Sequence, residues 1–317
     1  MNLSKPIKWL FAILLNLGMV TAISLLFYLT QSISTTQTIS LPQGSITNTI
    51  VHLKKEGYPL TVIDTYLLAY VITGQPKSGT LIIGKGKMQR IDFLRKLTNA
   101  KEAINIITLI PGETRTIFLE NLAKEYHLDV QKLNSAYDTY ATYKEAGIVP
   151  DTYHIPKHID ENKLIQILVK QSDKRYEEYS KKELKHYNKK EWLKILTKAS
   201  VIQKEAANNQ EMPIVASVIN NRLTKEMALQ MDGTLNYGKY SHIKVTPKRI
   251  REDKSGFNTY LNKGLPLYPV CSVSMDAINA VLHPKKTNYL YFMKNKLGVH
   301  DFTKSYQEHL RNIQKAK

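Results

Sequence analysis

The stretch with the clearest amphipathic pattern in this chain reads WLKILTKASVIQKEA, residues 192–206. Its apolar residues recur at helical spacing and predict a helix with one buried face. On such a helix Glu205 lies on the flank of that face, some 60° from Ile202. A carboxyl group there is partly desolvated, which raises its pKa and keeps a proton on it near neutral pH. Glu205 is therefore a candidate general acid, although a Glu beside an apolar stripe is more often a solvated edge residue.

An uncharged apolar segment, Trp9 to Leu29, lies near the N-terminus. As a helix it spans about 31 Å, roughly one hydrocarbon core. Lys5 and Lys8 precede it and the next Lys or Arg is Lys54, so the positive-inside rule places residues 1–8 in the cytoplasm and the rest outside. A cleaved signal peptide is the alternative, but its apolar region normally runs only about 7–15 residues. We expect a single uncleaved transmembrane helix.

Composition narrows the choice of partners and cofactors. The net charge is +18, and the basic run Lys174–Lys194 is interpreted as a solvated helix with Glu–Lys pairs rather than as a nucleic-acid site. The lone Cys271 excludes an intrachain disulfide. His154 and His158 have the spacing of two metal ligands on a helix, but Pro156 between them breaks such a helix. We expect no metal and no cofactor.

A strand–turn–helix pattern occurs twice in the first half of the chain. Residues 41–46 (LPQGSI) predict a turn and a helix capped by Ser45, and residues 104–114 predict a strand followed by a Pro-Gly turn. Helices over Leu60–Thr73 and Met88–Asn99 and a strand over Thr80–Gly84 lie between the two copies. We expect a linker at 30–39 and one α+β module over residues 40–140.

The second half, residues 141–317, predicts a mixed α/β domain that carries the helix with Glu205. A long polar helix is expected over Lys163–Lys190, and a further helix follows Pro213. Residues 229–270 are rich in Gly, Asn, Tyr and Pro, and predict loops and short strands around a cleft. The predicted end of the chain contains a helix at Met275–Leu282, a strand at Tyr289–Met293 and a basic helix from Lys304.

Several motifs of the second half occur in a fixed order. They are ASVIQKEA (199–206), VINNRL (218–223), LQMDGT (229–234), FNTY (257–260), GLP (264–266), HPKKTNYLYF (283–292) and HDFT (300–303). This series closely resembles the MltG (YceG-like) family of endolytic murein transglycosylases, and PDTY (150–153) resembles that family's pre-catalytic motif. The family usually has Glu, Thr and Pro where this chain has Gln203, Ala206 and Gly233. The catalytic position keeps its carboxyl.

The resemblance implies an α+β protein with a single transmembrane helix, a small LysM-like module and a mixed α/β catalytic domain. It implies an inner-membrane enzyme that faces the periplasm, cuts nascent peptidoglycan strands to end their elongation, and works alongside penicillin-binding synthases. Glu205 would protonate the glycosidic oxygen and then accept the proton of the MurNAc C6 hydroxyl as it closes onto C1, leaving a 1,6-anhydro end. Gln203 cannot raise the pKa of Glu205 by like-charge repulsion, as the usual Glu would.

Further side chains suit sugar recognition. Gln230, Asn258 and Tyr260 offer amide and phenol groups, and Tyr237 offers an aromatic face; each of these four also fits a loop, turn or packing role. His283 and His300 are interpreted as structural. Two alternatives stay open: a hydrolytic muramidase with Asp232 or Glu211 as the base, and a non-catalytic wall-binding anchor.

Overall fold

The computed structural model describes residues 5–72 and 74–316. They form two compact units. The first contains the residues up to Asn105 together with His154–His158, and the second contains Ile106–Tyr153 and the residues from Ile159 onward. Both helices and strands occur, which confirms the mixed α+β class. The domain boundaries predicted from the sequence stay a prediction.

The first unit begins with the long apolar helix α1 and continues with short strands and helices. Its elements are α1 (Lys5–Thr30), β1 (Ser32–Thr35), β2 (Thr38–Leu41), α2 (Ile46–Lys55), α3 (Val62–Tyr66), the π-helical turn Leu67–Val71, β3 (Gly79–Ile82), β4 (Gly86–Gln89) and α4 (Arg90–Asn99). β1 pairs antiparallel with β4, and β2 with β3. No residue of α1 is buried, and the helix is long and apolar enough to cross a membrane.

Three predictions for the first unit need correction. Residues 30–39, expected as a linker, contain β1 and part of β2, because Ile33 and Ile39 face the core of the unit and are buried. Met88, expected in a helix, lies in β4. The helix expected from Leu60 starts at Val62 and ends as a π-helical turn at Val71; its expected last residue, Thr73, lies outside the described residues.

The second unit is mostly helical. Its elements are α5 (Arg115–Tyr126), α6 (Val130–Tyr140), α7 (Glu161–Leu184), α8 (Lys189–Glu205), α9 (Met212–Thr224), α10 (Pro247–Glu252), α11 (Met275–Leu282), β7 (Tyr291–Lys294), β8 (His300–Thr303) and α12 (Tyr306–Ala316). The chain passes between the units through β5 (Ile104–Thr108) and β6 (Thr152–Pro156), which pair with each other, and β7 pairs with β8. The single helix expected over Lys163–Lys190 is wrong: α7 ends at Leu184, Lys185 adopts a left-handed conformation, and Asn188 caps α8.

The predicted cap at Ser45 is confirmed, and the structure has a corresponding cap, Thr114, in the second copy of the repeated pattern. Ser45 caps α2 through Asn48 N–H, and Thr114 caps α5 through Ile117 N–H. Gly44 and Gly112 precede these caps with φ of 135° and 87°, values that favour glycine.

α8 lies at the centre of the second unit, and its amphipathic face is confirmed. Trp192, Leu196, Ala199 and Ile202 are each at most 1% exposed and belong to a core shared with α9 and α11. Because close-packed side chains leave a helix little freedom to move, the last residue of α8, Glu205, is placed by the core of the unit.

Candidate active site

Glu205 emerges where α8 ends. Ala206 has an extended conformation, so the helix stops at Glu205. The Glu205 side chain is only partly exposed. A carboxyl at a fixed helix end, next to the core but within reach of solvent, has the placement that a general acid requires.

A short 3₁₀ turn, Asp232–Leu235, approaches this carboxyl. The backbone N–H of Gly233 donates a hydrogen bond of 2.7 Å to Glu205 Oε1. A Cβ atom at position 233 would lie 2.5 Å from Lys204 Cβ and 2.8 Å from Glu205 Oε1. In this chain the missing side chain of Gly233 lets its backbone N–H approach the carboxylate closely, whereas a Cβ atom there would have to displace Lys204 or Glu205.

The pKa of Glu205 is raised to about 7, mainly because burial penalises the charged form. The Gly233 N–H bond lowers this pKa, the negative charge of Asp232 raises it, and Arg222 lowers it. Desolvation outweighs the contributions of Gly233, Asp232 and Arg222, so Glu205 holds a proton over much of the range around neutral pH. This is the direction that the position of Glu205 on its helix predicts.

Glu205 lines a cavity of about 460 Å³. The described lining is partly polar and partly aromatic: Glu205, Arg222, Leu229, Gln230, Met231, Asp232, Tyr260, Tyr291, Phe292, Met293, Lys294, His300, Tyr306, His309 and Ile313. Polar side chains that converge on a cavity of this size are typical of a site that orients one ligand.

Tyr260 and Gln230 are the predicted sugar-binding residues that lie at this cavity. The Tyr260 hydroxyl donates a 2.7 Å hydrogen bond to Asp232 Oδ1, and burial together with Asp232 raises the pKa of this phenol. Gln230 is exposed and has φ 50°, a left-handed conformation uncommon outside glycine. Both side chains are within reach of a ligand that contacts Glu205.

Asn258 and Tyr237, also predicted to bind sugar, make internal contacts instead. Asn258 is fully buried, donates to the carbonyls of Ile250 and Asp253, and accepts from Tyr260 N–H at 3.0 Å. It holds the loop that carries Tyr260. Tyr237 stacks on Phe257, with 4.2 Å between ring centroids, and its hydroxyl donates to Asp253.

The other acidic candidate, Glu211, is engaged in internal hydrogen bonds. Its Oε2 lies 2.7 Å from His300 Nδ1 and accepts from Ala207 N–H, and its Oε1 accepts from His300 N–H. These bonds lower the pKa of Glu211 although burial opposes them. His300 itself lines the cavity, whereas His283 contacts Glu183.

The described residues contain no cluster of three or more His, Cys, Asp and Glu side chains that would hold a metal ion. His154 lies in strand β6 rather than on a helix. The side chains that line the cavity include the carboxyls of Glu205 and Asp232, the amide of Gln230 and the phenol of Tyr260.

A model of the YceG-like family matches residues 39–315. The chain belongs to the YceG-like family. Among curated proteins it is 40% identical over 146 residues to an endolytic murein transglycosylase of Bacillus subtilis, an alignment that covers 46% of this chain and 40% of the relative. It is 30% identical over 184 residues to an endolytic murein transglycosylase of Streptococcus pneumoniae, covering 56% of this chain and 33% of that protein.

A crystal structure of a yceG-like protein from Listeria monocytogenes is similar to this fold. Its TM-score is 0.56 at 25% identity, covering 86% of this chain and 97% of the Listeria chain. The alignments with the two curated relatives span only about a third to two fifths of those proteins' lengths.

Two further residues of this YceG-like site, Arg222 and Gly233, contact or position the cavity although no role was predicted for them from the sequence. Arg222, 7% exposed, donates to the carbonyls of Leu290, Ala228 and Leu229, and its guanidinium lies 5.2 Å from the Tyr291 ring centroid. It thereby ties α9 to the cavity wall and puts a positive charge near Glu205. Gly233 is the other. Their motifs are visible in the sequence, but the backbone contacts that define their roles are not.

Proposed function

We propose that this YceG-like protein is a membrane-anchored lyase, an endolytic peptidoglycan lytic transglycosylase that cleaves MurNAc–GlcNAc β-1,4 bonds within glycan strands. The observation that carries the proposal is the Glu205 carboxyl, held at a cavity with its pKa raised to about 7. The names of the curated relatives support the same reaction.

The first step is protonation of the leaving oxygen. Neutral Glu205 gives its proton to the bridging oxygen as the bond from that oxygen to MurNAc C1 breaks, which frees the GlcNAc hydroxyl and leaves positive charge at C1. Glu205 becomes a carboxylate, and the Gly233 N–H at 2.7 Å stabilises it.

The second step closes the sugar on itself. The C6 hydroxyl of the same MurNAc bonds to C1, and its proton passes to the Glu205 carboxylate, which restores the neutral acid. No water is consumed, and a 1,6-anhydro end forms. The attack is intramolecular and benefits from a high effective molarity. One carboxyl group therefore suffices, where ordinary glycosidases use two.

A hydrolytic muramidase is the second candidate, and the observation in its favour is that Asp232 lines the same cavity. Glu211 is a poor base for that reaction because both of its oxygens accept hydrogen bonds from His300. Mass spectrometry of digested glycan strands distinguishes the two reactions. Anhydro-MurNAc ends support the lyase, and reducing MurNAc ends support the hydrolase.

The proposal includes the position of the protein in the cell. α1, with Trp9 to Leu29 as its apolar part, would be the inner-membrane anchor, with residues 1–8 in the cytoplasm and the catalytic domain, residues 141–317, in the periplasm. The strand–turn–helix repeat within residues 40–140 supports a LysM-like module that contacts glycan. Work alongside penicillin-binding synthases, ending strand elongation, belongs to the same proposal.

A non-catalytic wall-binding anchor would contain the same α1 and the same repeat. Glu205→Gln tests this alternative in cells. The enzyme proposal requires that the variant fail to replace the wild-type protein while it accumulates in the membrane to the same level. Full replacement by the variant would favour the anchor.

A further inference from the structure

The outer end of α1 is fixed to the first unit by side-chain contacts. The Tyr28 hydroxyl donates to Asp64 Oδ2 at 2.7 Å and lies 2.6 Å from the Thr61 hydroxyl. The Arg90 guanidinium lies 4.1 Å from the Tyr28 ring centroid and pairs with Asp64 at 2.8 Å. Since Arg90 and Asp64 are 3% and 0% exposed, this junction is part of the core of the unit.

Almost no chain separates α1 from the sheet that follows. α1 ends at Thr30 and β1 starts at Ser32. The residue between them, Gln31, accepts hydrogen bonds from the side chain and the backbone N–H of Arg90. If α1 spans a bilayer, the first unit is therefore held directly at its surface, with Thr61 level with the last turn of the span.

An apolar surface begins at that level. Thr61 caps α3, and the segment Val62–Val71 exposes only uncharged side chains, because its single charged residue, Asp64, is buried in the ion pair. Val62 is 70% and Tyr70 82% exposed. We call the following residues the interfacial face: Val62, Ile63, Tyr66, Tyr70 and Val71. Leu67 and Leu68 of the same segment are buried, so its inner side adds apolar residues beside the Asp64 ion pair.

The chemistry next to the interfacial face suits a lipid headgroup layer. Tyr66 and Tyr70 stack with 6.3 Å between ring centroids, and tyrosine rings are enriched where a protein meets the membrane–water boundary. A cavity of about 700 Å³ separates this segment from α2. Of the described residues that line this cavity, one is charged, and it is the basic Lys54. A basic side chain beside apolar rings fits anionic headgroups.

We propose that the interfacial face lies in the headgroup layer of the bilayer that α1 spans, so that the first unit contacts the membrane at two places. The inference rests on the proposed role of α1 as the anchor. The bilayer is the occupant because the apolar surface of α1 continues into the interfacial face through the Tyr28–Thr61 contact. A second copy of the chain or a glycan strand would not require that continuity.

Spin labelling of the full chain in vesicles of phosphatidylethanolamine and phosphatidylglycerol tests the proposal. The native Cys271 is fully buried, so a single label attaches at Tyr70→Cys. The label's collisions with oxygen, which concentrates in lipid, are compared with its collisions with a water-soluble nickel chelate. Leu17→Cys within α1 is the lipid reference, and the exposed Lys101→Cys is the water reference. We expect an oxygen-to-nickel ratio at Tyr70→Cys at least about threefold above that at Lys101→Cys.

Each other outcome has a separate meaning. A water-like ratio at position 70 with a lipid-like ratio at position 17 overturns the inference and leaves the anchor intact. A label at position 70 that is shielded from both reagents indicates a protein partner, such as a second copy, and also overturns the inference. Shielding that appears only after soluble glycan strands are added also overturns the inference. A water-like ratio at position 17 contradicts the proposed anchor itself.

A second measurement uses exposed side chains whose loss leaves the core unchanged. In the combined variant Tyr66→Ser with Tyr70→Ser, a label at Val62→Cys is expected to move toward the water reference, because the aromatic contacts with the headgroup layer are gone. Tyr140→Ser, which removes an exposed tyrosine of the second unit, is the matched control and is expected to leave the label unchanged. No change in the combined variant overturns the inference.

Discussion

Two carboxyl groups of the second unit, Glu205 and Glu145, have similarly raised pKa values but make different contacts. Burial raises the pKa of each to about 7. Glu145 is 8% exposed, and its two oxygens accept hydrogen bonds from the backbone N–H of Arg115, with Ala146 N–H as a further donor. Glu205 accepts one backbone hydrogen bond through Oε1 and lines a cavity.

The comparison shows that a raised pKa alone does not identify a catalytic acid. Both groups hold a proton near neutral pH for the same reason, desolvation. Glu145 uses its oxygens at the start of α5, which is a structural role. Within the described part of the chain, Oε2 of Glu205 accepts no hydrogen bond and is left to meet a substrate. Access to a ligand, rather than acidity, separates the two.

The largest expected difference is in activity. Glu205→Gln keeps the shape of the side chain and removes its proton chemistry, so turnover of glycan strands is expected to fall on the order of a thousandfold. Glu145→Gln is expected to change turnover much less. The measurement is the rate of release of MurNAc-terminated fragments by the full chain in detergent, with the melting temperature of each variant as the check on folding. Equal losses of turnover in both folded variants would contradict the distinction between the two carboxyl groups.

Gly233→Ala is expected to lower activity about a hundredfold, because its Cβ would displace the carboxyl of Glu205. Loss of the N–H bond at the same time raises the pKa of Glu205, so the pH above which activity falls moves upward. Gly256→Ala is the matched control, since its Cβ would meet Leu267 Cβ at 3.3 Å, away from the carboxyl. Normal activity of Gly233→Ala would show that the 3₁₀ turn does not position Glu205.

Activity is expected to fall as pH rises through about 7, because the first step needs protonated Glu205. The measurement is kcat/KM against pH. Glu145→Gln is expected to keep this descending limb, since the proposed reaction does not use Glu145. If the descending limb disappeared in Glu145→Gln, the titrating acid would be Glu145 and the assignment to Glu205 would be wrong.

The effect of Glu205→Gln on the free energy of unfolding is expected to be smaller, and its direction follows from the raised pKa. The folded pKa of Glu205 lies above the ordinary value of 4.5, so its contribution to stability is present below pH 4.5 and is lost as pH rises through about 7. Glu205→Gln does not titrate and is expected to exceed the wild-type free energy of unfolding by about 1–3 kcal/mol at alkaline pH, and by less in acid. Denaturant unfolding at several pH values measures the difference. A constant difference would mean that Glu205 is not desolvated.

The smallest expected effect is that of Gln203→Glu. Gln203 Oε1 accepts a 3.1 Å hydrogen bond from Ser274 N–H, at the start of α11. A charge at that position is stabilised by the helix dipole and acts on Glu205 only through space. We expect the pKa of Glu205, read from the pH–rate profile, to rise by a few tenths of a unit. An unchanged profile would contradict like-charge coupling between the two positions.

The sequence is informative where one residue pattern determines one structure. The apolar face of residues 192–206 predicts α8 and places Glu205 beside it, and the capped turns at Ser45 and Thr114 follow from local chemistry. The linker prediction at 30–39 is wrong because short Thr- and Ser-rich strands are recognisable only when Ile33 and Ile39 have a core to enter. α7 and α8 look continuous in composition but are separated by residues 185–188, where Lys185 has a left-handed conformation.

The contacts around Glu205 cannot be predicted from local sequence patterns, because they join segments that are distant in the sequence. Gly233 approaches a residue 28 positions away, and Arg222 donates to Leu290, 68 positions away. The chemistry of Asn258 suits both sugar binding and holding a loop, and only the three hydrogen bonds of its side chain within residues 250–260 distinguish these roles. Sequence patterns of helix and turn contain none of this information.

The proposed mechanism requires that Glu205 promote closure of the sugar on itself rather than attack by water. Digestion of glycan strands by the wild-type chain in water labelled with heavy oxygen tests it most directly. We expect 1,6-anhydro-MurNAc ends that contain no label. New reducing MurNAc ends carrying the heavy oxygen at C1 as the main product would contradict it.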